Sequence, residues 1–433
     1  MNKLYFYISL LFVTQVSFGQ QVLSSQQAVA VALKNNFDIV LAKNVNEALD
    51  VNTTWGNAGF LPDLTANFTN TNNVQNQEQT QSNGEVRKLN NAKNNNASYG
   101  VTLGWTIFDG LGMFTRYEQL NTLKEQGETQ LQTTVLTTVS DVLEVYYNIV
   151  QQEHILTALD STLLISNERL RLAENRYKIG KASKLEVLNV QVDLNADRSL
   201  YLKQKETIQN LKTQLNQLMN VDLTTPFEVI KETTLDESLE LGALLDASEK
   251  QNPNLQLLKV NKRLADLELK NTKATRYPTV RLTSGYNFSR SESSLGFVTS
   301  SNANGFNYGV TASLNLFDGF EQRRKERVAK LQIENSTLQF EKQKVFLQSQ
   351  LIASYQTYKT NLDLAAIEDL NEKIAKENMD ITLAKHKIGT INTVEFRTAQ
   401  ENYINAVARN NSAKFQSKLA EIQLKELSGT LSM

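Results

Sequence analysis

Residues 99–110 read YGVTLGWTIFDG, and residues 308–319 read YGVTASLNLFDG. The two stretches lie 209 positions apart, alternate apolar with small or polar residues, and close on the same Phe-Asp-Gly. At the same spacing Lys178-Ile179-Gly180 matches Lys387-Ile388-Gly389, Glu186 matches Glu395 and Gln191 matches Gln400. Upstream the spacing is 216: Asn36 matches Asn252, Lys43 matches Lys259, Asp50 matches Asp266 and Pro62 matches Pro278. The chain is therefore written twice, and its architecture is that of one unit used twice. The change of spacing puts a seven-residue length difference between residues 63–98 and 279–307. Insertions collect in exposed loops, so each half should carry a long loop there.

In both halves the quoted stretch is the second of two alternating segments. In the first half the apolar positions are Leu64, Ala66 and Phe68, then Ala97, Tyr99, Val101, Leu103, Trp105 and Ile107. In the second they are Val280, Leu282, Tyr286 and Phe288, then Phe306, Tyr308, Val310, Ala312, Leu314 and Leu316. Period two with one apolar face predicts strands at about 61–72, 97–108, 277–289 and 305–317. Their length, about 10–12 residues, suits tilted membrane-spanning strands. The segments between them, 70–96 and 289–304, are rich in Asn, Gln, Ser and Gly and read as solvated, mobile loops. Phe60, Trp105, Phe108, Tyr277 and Phe317 fall near strand ends, where rings favour a membrane–water interface; ordinary strand packing is the other reading.

Each Phe-Asp-Gly is followed by a long helical stretch. Neither glycine nor proline occurs in 128–179, 181–225, 320–388 or 390–428. Val135, Val139, Val142, Tyr146 and Ile149 recur at alternating four and three spacing, as in coiled coils. Helices are predicted at about 111–179, 182–220, 320–388 and 391–428, with Gly180 and Gly389 at the turns, where glycine suits the left-handed position past a helix end. At 1.5 Å per residue the first would be ~100 Å long. Further helical stretches at 24–58 and 237–275 precede the strands, ending before Pro62 and Pro278.

The domain plan is then a first repeat at 20–220, a linker at 221–236 containing Pro226, and a second repeat at 237–430. Residues 1–19 read as a secretory signal: Lys3, an apolar run from Leu4 to Val13, and Ser17-Phe18-Gly19 at the cleavage positions. No later segment has the ~20 apolar residues a spanning helix needs. Lys plus Arg number 45 against 46 Asp plus Glu, a balance that speaks against nucleic acid as partner. There is no cysteine, which excludes disulfides, thiolate catalysis and zinc–thiolate sites. The two histidines, His154 and His386, lie far apart, and no phosphate-cradling glycine motif occurs. Neither catalysis nor a cofactor is indicated.

Four amphipathic strands cannot close a barrel, and an open-edged sheet cannot stand in lipid. The smallest barrels have about eight strands, so the chain should assemble as two or three copies. Long loops of such barrels lie outside the cell. The helices should therefore project into the periplasm, with the Gly180 and Gly389 turns at their far tips.

The ordered set of duplicated features resembles the TolC-type outer-membrane efflux proteins over the whole mature chain. It comprises the paired strands ending in Phe108-Asp109-Gly110 and Phe317-Asp318-Gly319, and the tips Arg176-Tyr177-Lys178-Ile179-Gly180-Lys181-Ala182-Ser183 and Lys385-His386-Lys387-Ile388-Gly389-Thr390-Ile391-Asn392. The resemblance implies a mixed fold: a homotrimer whose four strands per chain form a twelve-stranded membrane β-barrel, continued by a long α-helical barrel in the periplasm. It implies a passive exit duct that docks on a periplasmic adaptor (a membrane fusion protein) and, through it, an inner-membrane RND or ABC transporter. Adaptor contact would fall to Ile179, Gly180, Ile388 and Gly389, and the entrance gate to Glu186, Glu395 and His386. The sequence departs from the family there. The gate tyrosine falls on His386, the gate arginine on Ile391 and a second acid on Thr398. The alternative is an adhesive or structural envelope protein that uses its coiled coils as a spacer.

Overall fold

In the computed structural model, residues 21–294 and 298–431 are described. The expected signal segment at 1–19 lies outside them. They divide into two compact units, each assembled from both halves of the sequence.

The first unit comprises Met1–Leu41, Thr133–Asn252 and Phe346–Met433. Strand β1 (Gln21–Leu23) leads into α1 (Ser25–Asn35) and α2 (Phe37–Asn52). Ser24 and Gln27 form a capping box at the start of α1. Helices α3 (Gly112–Lys178) and α4 (Lys184–Met219) follow, then β4 (Phe227–Val229) and α5 (Leu241–Gln251). The long pair α7 (Glu321–Ile388) and α8 (Thr393–Ser428) closes the chain. β1 and β4 pair in parallel. Leu23, Val29, Ile149, Leu215 and Phe227 belong to the core this creates.

The duplication extends to single hydrogen bonds. Tyr146 Oη donates to Leu23 O at 2.9 Å, and its counterpart Tyr355 Oη donates to Leu239 O at 3.3 Å. Asn36 Nδ2 donates to Leu218 O and Asn252 Nδ2 to Leu427 O, both at 2.9 Å. These asparagines also correct the expected helices at 24–58 and 237–275. Each is two helices, broken where Asn36 and Asn252 adopt extended ψ values of 132° and 118°. Asn36 Oδ1 accepts from the backbone of Asp38, an asparagine's usual way of competing with helix. After Asn252, Pro253 opens α6 (Pro253–Ala274), where its missing N–H costs nothing. The expected linker at 221–236 likewise holds structure, since β4 lies within it.

The second unit comprises Ala42–Gln132 and Pro253–Val345 and carries four strands. They are β2 (Asp63–Thr80), β3 (Val86–Asp109), β5 (Thr279–Ser293) and β6 (Ser300–Ser313), in the order β2-β3-β5-β6, all antiparallel. The expected loop at 70–96 is instead mostly ladder, paired from Asn70↔Ala97 out to Thr80↔Val86. The Asn- and Gln-rich run hides its strand because neither face is apolar, although its backbone pairs as well as any other. One irregularity, between Gln75 and Gln77, is met by left-handed Asn91, whose N–H donates to Asn76 Oδ1. The expected loop at 289–304 shrinks in the same way, and β6 stops at Ser313 rather than near 317.

The repeated Phe-Asp-Gly is a strand-to-helix switch. Gly110 and Leu111 have φ of 71° and 68°, and Gly319 and Phe320 have 66° and 68°. Asp109 Oδ1 then accepts from Met113 N at 3.0 Å, and Asp318 Oδ2 from Gln322 N at 2.7 Å, capping α3 and α7. A Cβ on Gly110 would overlap the Ala274 carbonyl, so glycine is required there sterically as well as conformationally.

Tyr146 is buried and accepts from Ile230 N besides donating to Leu23 O. Tyr146→Phe should therefore lower unfolding free energy by ~1–3 kcal/mol, as an unpaired buried group costs. Tyr355→Phe, which loses one long bond from a half-buried site, should cost clearly less. Urea unfolding of the detergent-solubilised protein compares the two.

Candidate functional site

The α3–α4 and α7–α8 turns are built alike. Lys181 N donates to Arg176 O at 2.8 Å and Gly180 N to Tyr177 O at 3.0 Å. Thr390 N to Lys385 O and Gly389 N to His386 O, both at 3.1 Å, repeat the pattern. Gly180 and Gly389 take φ of 75° and 84°, so each turn is a Schellman closure. Ile179 is 66% exposed and Ile388 76% exposed, so neither is consumed as an apolar capping contact.

The next helices start on Ser183 and Asn392. Glu186 N donates to Ser183 Oγ at 3.2 Å, and Glu395 N to Asn392 Oδ1 at 2.8 Å. Asn392 Nδ2 returns a bond to Glu395 Oε1 at 2.9 Å. Both glutamates thus occupy the third position of their helices, where a negative charge meets the positive end of the helix dipole. The structure does not bring them together in one cleft: Glu186 lines an open cleft of about 650 Å³ between α4 and α8, with Asp193, Asn392 and Arg397, and Glu395 is not part of that lining.

His386 was expected with them at the entrance, but it is only 6% exposed and does not line that cleft. Its ring sits 5.5 Å from that of Phe396, and its Nδ1 is buried without a partner. Burial, with the nearby Arg169 and Arg176 charges, pushes its pKa below the ordinary 6.5. A polar residue in a helix carries no mark of which face it occupies, and here the aromatic partner comes from another helix.

Around His386 lies a polar network that sequence reasoning missed. Arg169 is 1% exposed, lies over the Phe396 ring, and donates to Asp193 Oδ2 at 3.3 Å and to Gln400 Oε1 at 3.5 Å. Ser166 Oγ donates to Asp197 Oδ2 at 2.6 Å and accepts from Gln400 Nε2 at 3.0 Å. Arg397 Nη1 reaches Asp197 Oδ1 at 2.8 Å. Burial pushes the Arg169 guanidinium below its ordinary range, while Asp193 and Asp197 pull it back. The one available signal was the match of Gln191 with Gln400. Gln191 is exposed and Gln400 buried, so the network, built from residues of both halves, is not duplicated.

At the sheet, Leu64, Phe68, Val101, Phe306, Tyr308 and Val310 leave a broad apolar face exposed, with Tyr99 stacked on Phe288. Trp105 Nε1 donates to Phe60 O at 2.9 Å, tethering an indole at the strand end. An exposed apolar surface of this kind marks a face meant for lipid or a partner. Among the described residues no helix is long and apolar enough to cross a membrane, and no His, Asp or Glu cluster could hold a metal ion.

The family model described as outer membrane efflux protein matches residues 28–221 and 244–430, both repeats of the duplication. The chain belongs to the outer membrane efflux protein family. Members of this family are outer-membrane channels rather than enzymes. Protein CyaE of Bordetella pertussis is 24% identical over 242 residues, which cover 54% of this chain and 50% of that protein. The chain thus spans about half the length of the curated relative it matches. Three solved outer-membrane proteins share the fold. The Campylobacter jejuni CmeC outer membrane channel superposes with a TM-score of 0.78 at 17% identity, covering 94% of this chain and 85% of that one. The Vibrio cholerae outer membrane protein VceC gives 0.74 at 14%, covering 94% and 96%. The open-state Neisseria gonorrhoeae MtrE outer membrane channel gives 0.71 at 16%, covering 94% and 89%. This outer membrane efflux family chain shares the TolC-type fold of these solved structures.

His386 supplies a pH test of the tip. With its folded pKa below 6.5, the unfolded chain takes up a proton that the folded one resists. Its contribution is whole above pH 6.5 and is lost as pH falls below that value. His386→Phe should therefore show a smaller drop in Tm between pH 7.5 and 5.5 than the parent; equal drops would contradict this placement of the ring.

Proposed function

We propose that three copies of this chain form a passive exit duct across the outer membrane, fed by a periplasmic adaptor and an inner-membrane RND or ABC transporter. The observation that carries the reading is the two-faced, four-stranded sheet whose edge strands β2 and β6 have no outer partner among the described residues. A free edge in hydrocarbon leaves backbone groups unsatisfied at several kcal/mol each. Pairing β6 of one copy with β2 of the next removes every edge, and three copies give the twelve strands that TolC-type resemblance implies. On this reading the helices extend into the periplasm, since they leave the sheet at the end opposite the β2–β3 hairpin tip. The duct has no energy source of its own.

Ile179, Gly180, Ile388 and Gly389 are the proposed adaptor contacts; the two exposed isoleucines offer apolar purchase at equivalent turns. Glu186 and Glu395 are the proposed entrance acids. Copies of each around an axis would make a ring that favours cations.

Purified protein should run as a trimer by native mass and give single-channel currents in planar bilayers. A dimer would overturn the copy number, and absence of current would favour the spacer reading. Glu186→Ala and Glu395→Ala should each weaken cation selectivity and block by divalent cations; unchanged block would remove the gate assignment. Single cysteines beside Gly180 and Gly389 should cross-link the adaptor in cells, whereas failure at both sites would put the docking surface elsewhere.

A further inference from the structure

Across the four strands, three successive rows of the polar face read Asn67–Gly100–Asn287–Gly305, Thr65–Thr102–Gly285–Asn307 and Asp63–Gly104–Thr283–Gly309. All five glycines of these strands stand on this face and none on the apolar one. Long polar side chains lie across several of the gaps. A Cβ on Gly100 would overlap the carboxamide of Asn287, whose Nδ2 donates to Asn307 Oδ1 at 2.9 Å. A Cβ on Gly104 would overlap the Arg281 guanidinium, which crosses that gap to reach Asp63 Oδ1 at 3.1 Å. Over residues 63–73, 94–106, 281–293 and 301–313, Asp63 and Arg281 are the only charged side chains on the polar face.

Stability does not account for that pair. Both partners are about half exposed, and a solvated ion pair is worth ~0–1 kcal/mol. What the arrangement does achieve is a wall of low relief and no net charge. Strand bending, the usual reason for glycine in a strand, does not require all five on one face, nor a guanidinium laid over one of them.

We infer that the polar-face glycines, with Asp63 and Arg281, are specificity-determining positions of the barrel: Gly104 lets Arg281 lie flat on Asp63, so the lumen stays electrically neutral and admits solutes of either charge. The inference rests on the duct reading, in which this face lines the lumen. It assigns charge selection to the tips and indifference to the barrel.

The test uses the absence of cysteine in the chain. Gly309 has only Thr283 Oγ1 near its missing Cβ, at 3.7 Å, so Gly309→Cys places a thiol on the polar face without displacing backbone. It lies beside Thr311, the register partner of Arg281. The full-length protein in outer membranes is treated from outside with a cationic and an anionic methanethiosulfonate, and the two rates are normalised to free cysteine. This route does not depend on whether the periplasmic tip is open. The expected rate ratio is near unity. Adding Asp63→Asn should favour the anionic reagent by roughly twofold, from the Arg281 charge over Gly104, two strand spacings or ~10 Å away under moderate salt. Adding Arg281→Gln leaves Asp63, three strand spacings or ~14 Å from Gly309, and should favour the cationic one more weakly, and the double change should restore unity. Gly104→Ala, which lifts Arg281 off Asp63, should shift the ratio in the same direction as Asp63→Asn. A thiol that neither reagent reaches would overturn the duct reading. A reactive thiol whose ratio ignores Asp63→Asn or Gly104→Ala would overturn the inference alone.

Discussion

A strand edge in hydrocarbon has nowhere to send its backbone hydrogen bonds, and on the proposed duct reading the rest of this chain is arranged around that constraint. Duplication supplies two hairpins per chain, and pairing of β3 with β5 joins them into one sheet. The internal edges vanish and two remain, those of β2 and β6. Everything that makes the sheet two-faced is already present in a single copy, as is the switch that turns each second strand into a helix. What a single copy lacks is closure.

The features legible in the sequence are those enforced by periodicity or by a special backbone position. Leu64 to Phe68 and Tyr99 to Ile107 declared their strands through an apolar face. Phe-Asp-Gly declared the switch, because an aspartate cap and a left-handed glycine leave little choice of residue. Gly180 and Gly389 declared the tips in the same way. The outer ladder from Asn70 to Thr80 was silent, since a polar strand paired on both faces to water has no period to read. Asn36 and Asn252 were visible as matching residues but not as breaks, because their role rests on carbonyls at Leu218 and Leu427, far along the chain. The β1–β4 pair was missed for a similar reason: three residues are too few to show alternation.

The tips show how far duplication reaches. Both turns share their Schellman closure and their N-cap, and both place a glutamate at the third helical position. Beneath them the symmetry ends. Arg169, Asp197, Arg397 and Gln400 are joined in a buried network that the duplication does not repeat, since Gln191, the match of Gln400, stands exposed. A buried charge network is poor as a source of stability and better understood as a device that fixes one arrangement among several. Three helices of one chain are thereby held in a defined register just behind the turns. The halves have kept a common frame and specialised in what lies behind it.

The short parallel pairing of β1 with β4 has a kinetic side. Residues 21–23 find their partner only at 227–229, after α1 to α4 have been made. Synthesis delivers β1 first, so it must wait, unpaired, for roughly half the polypeptide to follow. Contacts so distant in sequence form slowly, because the intervening loop must close before they give any return. Until then a three-residue strand and the apolar side of α1 stay uncovered. That is the period in which the nascent chain is most exposed to aggregation, and in which a holding chaperone would have something to hold.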